Sequence, residues 1–175
     1  MSAVDNTPEN KNFLSPLKFG FLIKKTPHVN FFIQGVNLPP ISMNAAMTPT
    51  PFVDIPNHGE HLKFENLTIK YKVDEDFQNY QELYNWLIAL GKPENFQQYK
   101  DLQDNPIYTG DTIYSDLSIL AYRSSHIPHF EITFTDAYPI AVGDIKFNTD
   151  EDDVHFITSS ATFKYTNFTM RQISS

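Results

Sequence analysis

The stretch LTIKYKVDEDFQNYQELYNWLIALG, residues 67–91, decides the fold. Its first part alternates: Leu67, Ile69, Tyr71 and Val73 are apolar, and Thr68, Lys70 and Lys72 between them are polar. Successive side chains on a strand point to opposite faces, so the pattern predicts a strand with one buried face. After Asp74, Glu75 and Asp76 the period changes. Phe77, Tyr80, Leu83, Tyr84, Leu87 and Ile88 step by three and four, the stripe of an amphipathic helix. Gly91 and Pro93 stand where a helix stop belongs. The acids read as the joint. Asp74 or Asp76 would be the N-cap, accepting from free backbone N–H groups, and all three meet the positive end of the helix dipole. A metal site would need converging ligands, and neighbours in an extended joint point apart.

Upstream, Leu62 and Phe64 lie on the opposite parity from Leu67, and a bulge near Glu65–Asn66 would bring both sets to one face. KFGFLIK (18–24) reads as a first strand, Thr26-Pro27-His28 as a turn, and NFFIQGVNL (30–38) as a second strand with a bulge at Gly35. Residues 39–61 hold Pro39, Pro40, Pro49, Pro51 and Pro56 and show no helix period and little alternation. They read as a long loop, which in a compact domain is usually functional. Contact with another chain is the expected job.

Downstream, 94–112 reads as a helical turn and loop. Strands are expected at 114–122, at 129–136 on Phe130, Ile132 and Phe134, and at 143–148. A long strand, 154–170, turns Ala161, Phe163 and Tyr165 inward and Thr162, Lys164 and Thr166 outward. The sum is mainly β: an antiparallel β-sandwich or barrel with one amphipathic α-helix laid against it. Residues 17–175 are read as a single domain, and the polar residues 1–16 as a flexible arm.

Composition agrees and narrows function. Phe (15) and Tyr (9) are abundant in the 175-residue chain and favour strands. A net charge of −8 opposes tight binding to phosphate backbones. The absence of Cys excludes disulfides, zinc–thiolate sites and thiol nucleophiles. The N-terminal stretch lacks the apolar run of a secretory signal, and no segment approaches the roughly 20 apolar residues of a membrane span. No membrane partner is expected, folding in a cytoplasm is, and the N-x-T matches at Asn66 and Asn167 read as chance.

No residue cluster carries catalysis. His58, Glu60 and His61 in NHGEH, and the pair His126 and His129, lack the spacing and further ligands of a zinc site. DEDD (150–153) lacks the glycine and distal Glu of a calcium loop. Ser124-Ser125-His126 is the one close nucleophile–base cluster and has no nucleophile-elbow pattern. Neither a Walker motif nor a dinucleotide glycine pattern occurs. No catalytic residue, cofactor or metal is expected.

The order of elements is the strongest functional signal. A strand ending in VNLPPI (36–41), a long loop, a long strand, then acids and a Trp-bearing helix, VDEDFQNYQELYNWLIALG (73–91), precede further antiparallel strands. This order, with Asn37-Leu38-Pro39 and the 67–91 unit, resembles the tail-tube family of contractile-tailed bacteriophages over residues 17–170. The resemblance implies a virion protein, assembled in the host cytoplasm. It would close into hexameric rings that stack into a tube for passing double-stranded DNA, alongside sheath and baseplate or terminator proteins. The long loop would contact neighbouring subunits and rings through Leu38, Pro39, Pro40, Ile41, Met43, Met47 and Phe52. Thr68, Lys70, Lys72, Thr162, Lys164 and Thr166 would line the lumen. Lysines depart from the neutral or acidic lumen expected for DNA transit: either they pair with acids across subunits, or the opposite face lines the channel. A tube-initiating or tube-terminating protein would share the pattern. From a different class, a glycan- or receptor-binding sandwich would use loop aromatics such as Tyr108, Tyr114 and Tyr138.

Overall fold

A computed structural model describes residues 14, 16–91, 97, 100, 113–123, 127–148 and 156–173. The order is β1 (Phe19–Ile23), α1 (Pro27–Phe32), β2 (Ile33–Asn37), β3 (Ile41–Pro49), β4 (Asp54–Phe64) and β5 (Leu67–Lys72). Then follow α2 (Gln78–Gly91), β6 (Ser115–Tyr122), β7 (Pro128–Val142), β8 (Thr158–Lys164) and β9 (Asn167–Gln172). All pairings are antiparallel.

β7 organises the sheets. Its first half pairs with β6, which pairs with β1, and on its other side with β9; its second half pairs with β8, which leads to β5 and β2. The two leaves meet where β7 bends. There Asp116 of β6 lies within a register shift, and Asp136 takes a left-handed φ of 55°. Aspartate tolerates that region better than most residues, because its short side chain bonds locally. The expected 154–170 strand is β8 and β9 in succession, bent at Tyr165–Thr166, with Thr166 N–H still bonded to Thr135 C=O at 3.0 Å. Its inward residues Ala161, Phe163 and Tyr165 are buried. The short strand expected at 143–148 does not form. β7 instead continues through Val142, and Gly143 then closes onto β8, its N–H donating to Ser160 C=O.

The core is aromatic. Phe134, Tyr165, Phe168 and Phe64 meet edge-on or tilted, with centroids between 4.9 Å (Phe134–Tyr165) and 6.2 Å (Tyr165–Phe168). Burial holds the Tyr71 hydroxyl up to about 12. α2 covers this core with Asn79, Leu83, Trp86 and Ala89, and Trp86 packs on Phe163 and donates to Ile113 C=O. The buried stripe is rotated from the expected one: Tyr84 and Phe77 are exposed. The reason is Asn79, a polar residue that sequence periodicity places outside. Its side chain donates to Lys72 C=O at 2.8 Å and accepts from Asp74 N–H at 3.3 Å, tying the end of β5 to the helix. The acidic N-cap is likewise corrected. Phe77, at φ 59°, takes the boundary position, with its C=O accepting from Gln81 N–H.

Residues 27–32 form a second, short helix where a turn and strand were expected. Pro27 fits the first helical turn, whose N–H has no intrahelical partner. Asn30 fixes the helix by exchanging hydrogen bonds with both Ile23 N–H and Ile23 C=O. The strand resumes at Ile33, with the irregularity between Ile33 and Gly35. α1 meets α2 through His28, whose Nδ1 lies 2.5 Å from Glu82 Oε1. That hydrogen bond and charge, with a smaller contribution from Asp74, raise the imidazole above its usual 6.5 against a small opposing effect of burial. A raised folded pKa stabilises fully below the unfolded value and is lost as pH rises through the folded one. Thermal melts should therefore show the wild type losing ground to His28→Gln as pH climbs above about 6.5. Parallel pH profiles would remove the ion pair from the account.

Candidate self-assembly interface

Residues 39–61 are not a structureless loop. They are most of a long hairpin, β3–β4, whose strands pair from Ile41↔Phe64 to Pro49↔Asp54. The register makes it two-faced. Ile41, Met43, Ala45 and Met47 share one face with Phe64, Leu62, His58 and Pro56; Ser42, Ala46 and Thr48 share the other with Lys63, Asn57 and Ile55. Thr50 closes the turn by bonding Val53, and Phe52 stands at the tip, 98% exposed.

Among the described residues, the hairpin makes no extended contact with any other helix or strand. Both its faces are open, including the apolar one: Ile41, Met43, Met47 and Leu62 are all about half exposed or more. An isolated two-stranded hairpin is at best marginally stable in water, and contiguous exposed apolar faces are where proteins commonly meet partners. Its root, by contrast, is fixed. Phe64 reaches the aromatic core, Pro39 is buried, and Glu65 N–H donates to Pro40 C=O. The bulge expected near Glu65–Asn66 is a full break, at which the chain leaves the hairpin for β5. Of the residues expected to touch a neighbour, Leu38, Pro40, Ile41, Met43, Met47 and Phe52 are exposed, and Pro39 is not.

Gly59 sets the hairpin's shape. A Cβ there would lie 1.8 Å from Asn44 C=O, at the bulge between Met43 and Ala45. Gly59→Ala should shift the register beyond the bulge and reduce assembly while leaving the melting temperature of the unassembled chain unchanged. An unaltered assembly profile would show that the distal hairpin's register is immaterial.

The second expected surface lies on the β5–β8 pair. Thr68 opposes Thr162 and Lys70 opposes Ser160, so Thr68, Lys70, Lys72, Thr162 and Lys164 share the face away from buried Leu67, Ile69, Tyr71, Ala161 and Phe163. Thr166 lies just past β8 and is exposed. Two of the lysines are held by their own chain. Lys164 Nζ donates to Phe64 C=O at 3.0 Å and Asn66 Oδ1 at 3.3 Å, and Lys72 Nζ sits 4.0 Å from the Phe156 ring centroid. Among the described residues, β1, β2 and β9 are each paired on one side only.

The other candidate residues do not converge. His58, Glu60 and His61 sit on β4, and no group that could hold a metal occurs among the described residues. His129 accepts from Arg123 at 3.1 Å; His126, the Ser124-Ser125 pair, DEDD 150–153, Pro93, Tyr108 and nearly all of 94–112 lie outside the described residues. Tyr114 and Tyr138 pack against one another, ring centroids 5.6 Å apart. Among the described residues no helix is long and apolar enough to cross a membrane.

The architecture is that of a two-leaf antiparallel β protein which, among the described residues, carries edge strands paired on one side and an uncovered amphipathic hairpin. The family follows from sequence: the chain belongs to the phage tail tube protein family, whose model matches residues 7–171. Among solved structures, that of the tube-terminating cap of the anti-feeding prophage contains a chain similar over 99% of this chain and 100% of its own, with a TM-score of 0.60 and 10% identity. The sheath–tube complex of an extracellular contractile injection system, PVC, in the extended state contains a chain similar over 99% of both, with a TM-score of 0.59 and 13% identity. At these identities the likeness is one of fold. No curated protein matches the chain in sequence.

Proposed function

We propose that the chain is the structural subunit of a phage tail tube, closing laterally into hexameric rings that stack around a channel for DNA. The observation that carries this reading is the uncovered apolar face of β3–β4 in a member of the tail tube family. One-sided edges at β1, β2 and β9 suit lateral joining, because an unpaired edge offers free N–H and C=O groups to another strand. Rotation between heterologous edges closes a ring. Residues 17–175 act as one domain, and residues 1–16 as an arm toward a neighbour.

The Thr68–Thr162 face, with Lys70, Lys72, Lys164 and Thr166, lines the lumen. An acidic subunit repels a polyanion and lets it slide, and Lys164 and Lys72 are already engaged within the chain. The role is structural rather than catalytic. Sheath, baseplate and terminator proteins are the partners, and the mature site is the virion. The similar structures include both a sheath–tube complex and a tube cap, so an initiating or terminating ring is the alternative within the same fold. Electron micrographs of the purified chain at rising concentration test the reading: six-fold rings and tubes are expected, and a monomer throughout would overturn it.

A further inference from the structure

We propose that the His28–Glu82 contact is a proton-gated latch on α1 that couples pH to the lateral joining of subunits. The inference rests on the self-assembly reading and adds a regulator to it. Among the described residues β1 ends one leaf and β2 ends the other, and α1 is the connection between these two edges. A helix of six residues is about 9 Å long, so its placement sets the offset between the edges. Val29 anchors it in the core, and Asn30 ties it to Ile23 at the end of β1. A further tie, on the side toward α2, is His28.

That tie depends on a proton. His28 Nδ1 meets Glu82 Oε1, while Oε2 of the same carboxylate is buried and has no hydrogen-bond partner among the described residues. Burying part of a carboxylate is costly, and a facing imidazolium offsets the cost through a charge-assisted hydrogen bond. Glu82 is the main charge acting on His28, and Asp74, where the chain leaves β5 for α2, adds a weaker one of the same sign. Of the other elements packed against α1, β1 has no titratable side chain. On β5, Lys70 and Lys72 share the face away from the core, and burial holds the Tyr71 phenol up to about 12. Lys25, just before α1, lies over the Trp86 ring, one turn along α2 from Glu82, and burial lowers its ammonium to about 8. With His28 protonated, α1 is drawn onto α2 and both edges are held in place for joining. As pH rises through the folded pKa of His28, that contribution is lost. Glu82 then keeps a buried anionic oxygen without the imidazolium charge, the carboxylate turns toward water, and α1 loosens between the edges.

The test is sedimentation velocity over a range of subunit concentrations at about pH 6 and about pH 9, on either side of an imidazole titration. Raising the pH should increase the concentration needed for rings at least about fivefold more in the wild type than in His28→Gln. The His28 side chain is 52% exposed, so the substitution should leave the chain folded. Lys25 and the other histidines are common to both chains, so the difference isolates the latch. Glu82→Gln should flatten the profile in the same way. His28→Lys, charged at both values, should assemble at the higher pH more readily than the wild type. Amide exchange of residues 29–32, corrected for its intrinsic base catalysis, gives a local readout: it should quicken with pH in the wild type and not in His28→Lys. Parallel assembly profiles for the wild type, His28→Gln and Glu82→Gln would overturn the latch while the tube reading stands, whether or not the α1 amides loosen. If the wild type forms no rings at either pH, the tube reading falls and this coupling falls with it.

Discussion

Replacing residues 43–62 with Asn-Gly is expected to leave a folded monomer and abolish assembly. The cut keeps Ser42 opposite Lys63 and Ile41 opposite Phe64, and Asn-Gly is the two-residue turn best suited to joining antiparallel strands. It also keeps the root in place: Phe64 in the aromatic core, Pro39 buried, and the Glu65–Pro40 hydrogen bond. Among the described residues the removed segment makes no extended contact with another element, so the melting temperature of the body should move by only a few degrees. Its apolar residues Met43, Met47 and Leu62 are the side chains a neighbour would bury. Losing two anchors of about 2 kcal/mol each would weaken a subunit contact roughly a thousandfold. Sedimentation velocity reads the outcome. Rings and tubes from the shortened chain would refute the hairpin's role, and a monomer that melts early would show that the hairpin supports the body.

The largest expected effect on stability belongs to Phe163→Ala. Phe163 is fully buried on β8 between the sheet and α2, with the Trp86 ring 6.0 Å away. Truncating a buried Phe costs about 3–5 kcal/mol through lost transfer energy and the cavity left behind. That is a large share of the 5–15 kcal/mol that typically holds a domain together. The measurement is urea unfolding in the hairpin-shortened background, where assembly cannot add apparent stability by mass action. Phe147→Ala serves as the contrast: with Phe147 72% exposed, its cost should stay near 0.5 kcal/mol or below. Equal losses from both substitutions would mean that the core is not where the buried aromatics place it.

The elements with strong local period were legible in the sequence. β5 and α2 follow from Leu67–Val73 and from the change of step after Asp76, because burial on one face imposes those spacings. The orientation of α2 was not legible. Asn79 is buried for its hydrogen bonds to Lys72 and Asp74, which no hydropathy pattern contains. α1 was missed because Val29, Phe31 and Phe32 favour strands, and the partner that holds the helix, Ile23, is bound through Asn30.

The hairpin left a signal that prolines obscured. Ile41, Met43, Ala45 and Met47 alternate with Ser42, Asn44, Ala46 and Thr48, a period of two. Pro49 and Pro56 argue against a central strand, but both strands of a two-stranded hairpin are edges, where a missing N–H is tolerated.

Hydrogen exchange at the amides of residues 41–64, compared between the unassembled chain and assembled particles, tests the central claim most directly. In the free subunit the distal hairpin makes no extended contact with another described element, so its amides should exchange rapidly despite their pairing. Once neighbouring copies cover its apolar face, the same amides should be protected about a hundredfold or more. Unchanged exchange in particles that have plainly assembled would contradict the account, because the chain would then join its copies without covering the hairpin.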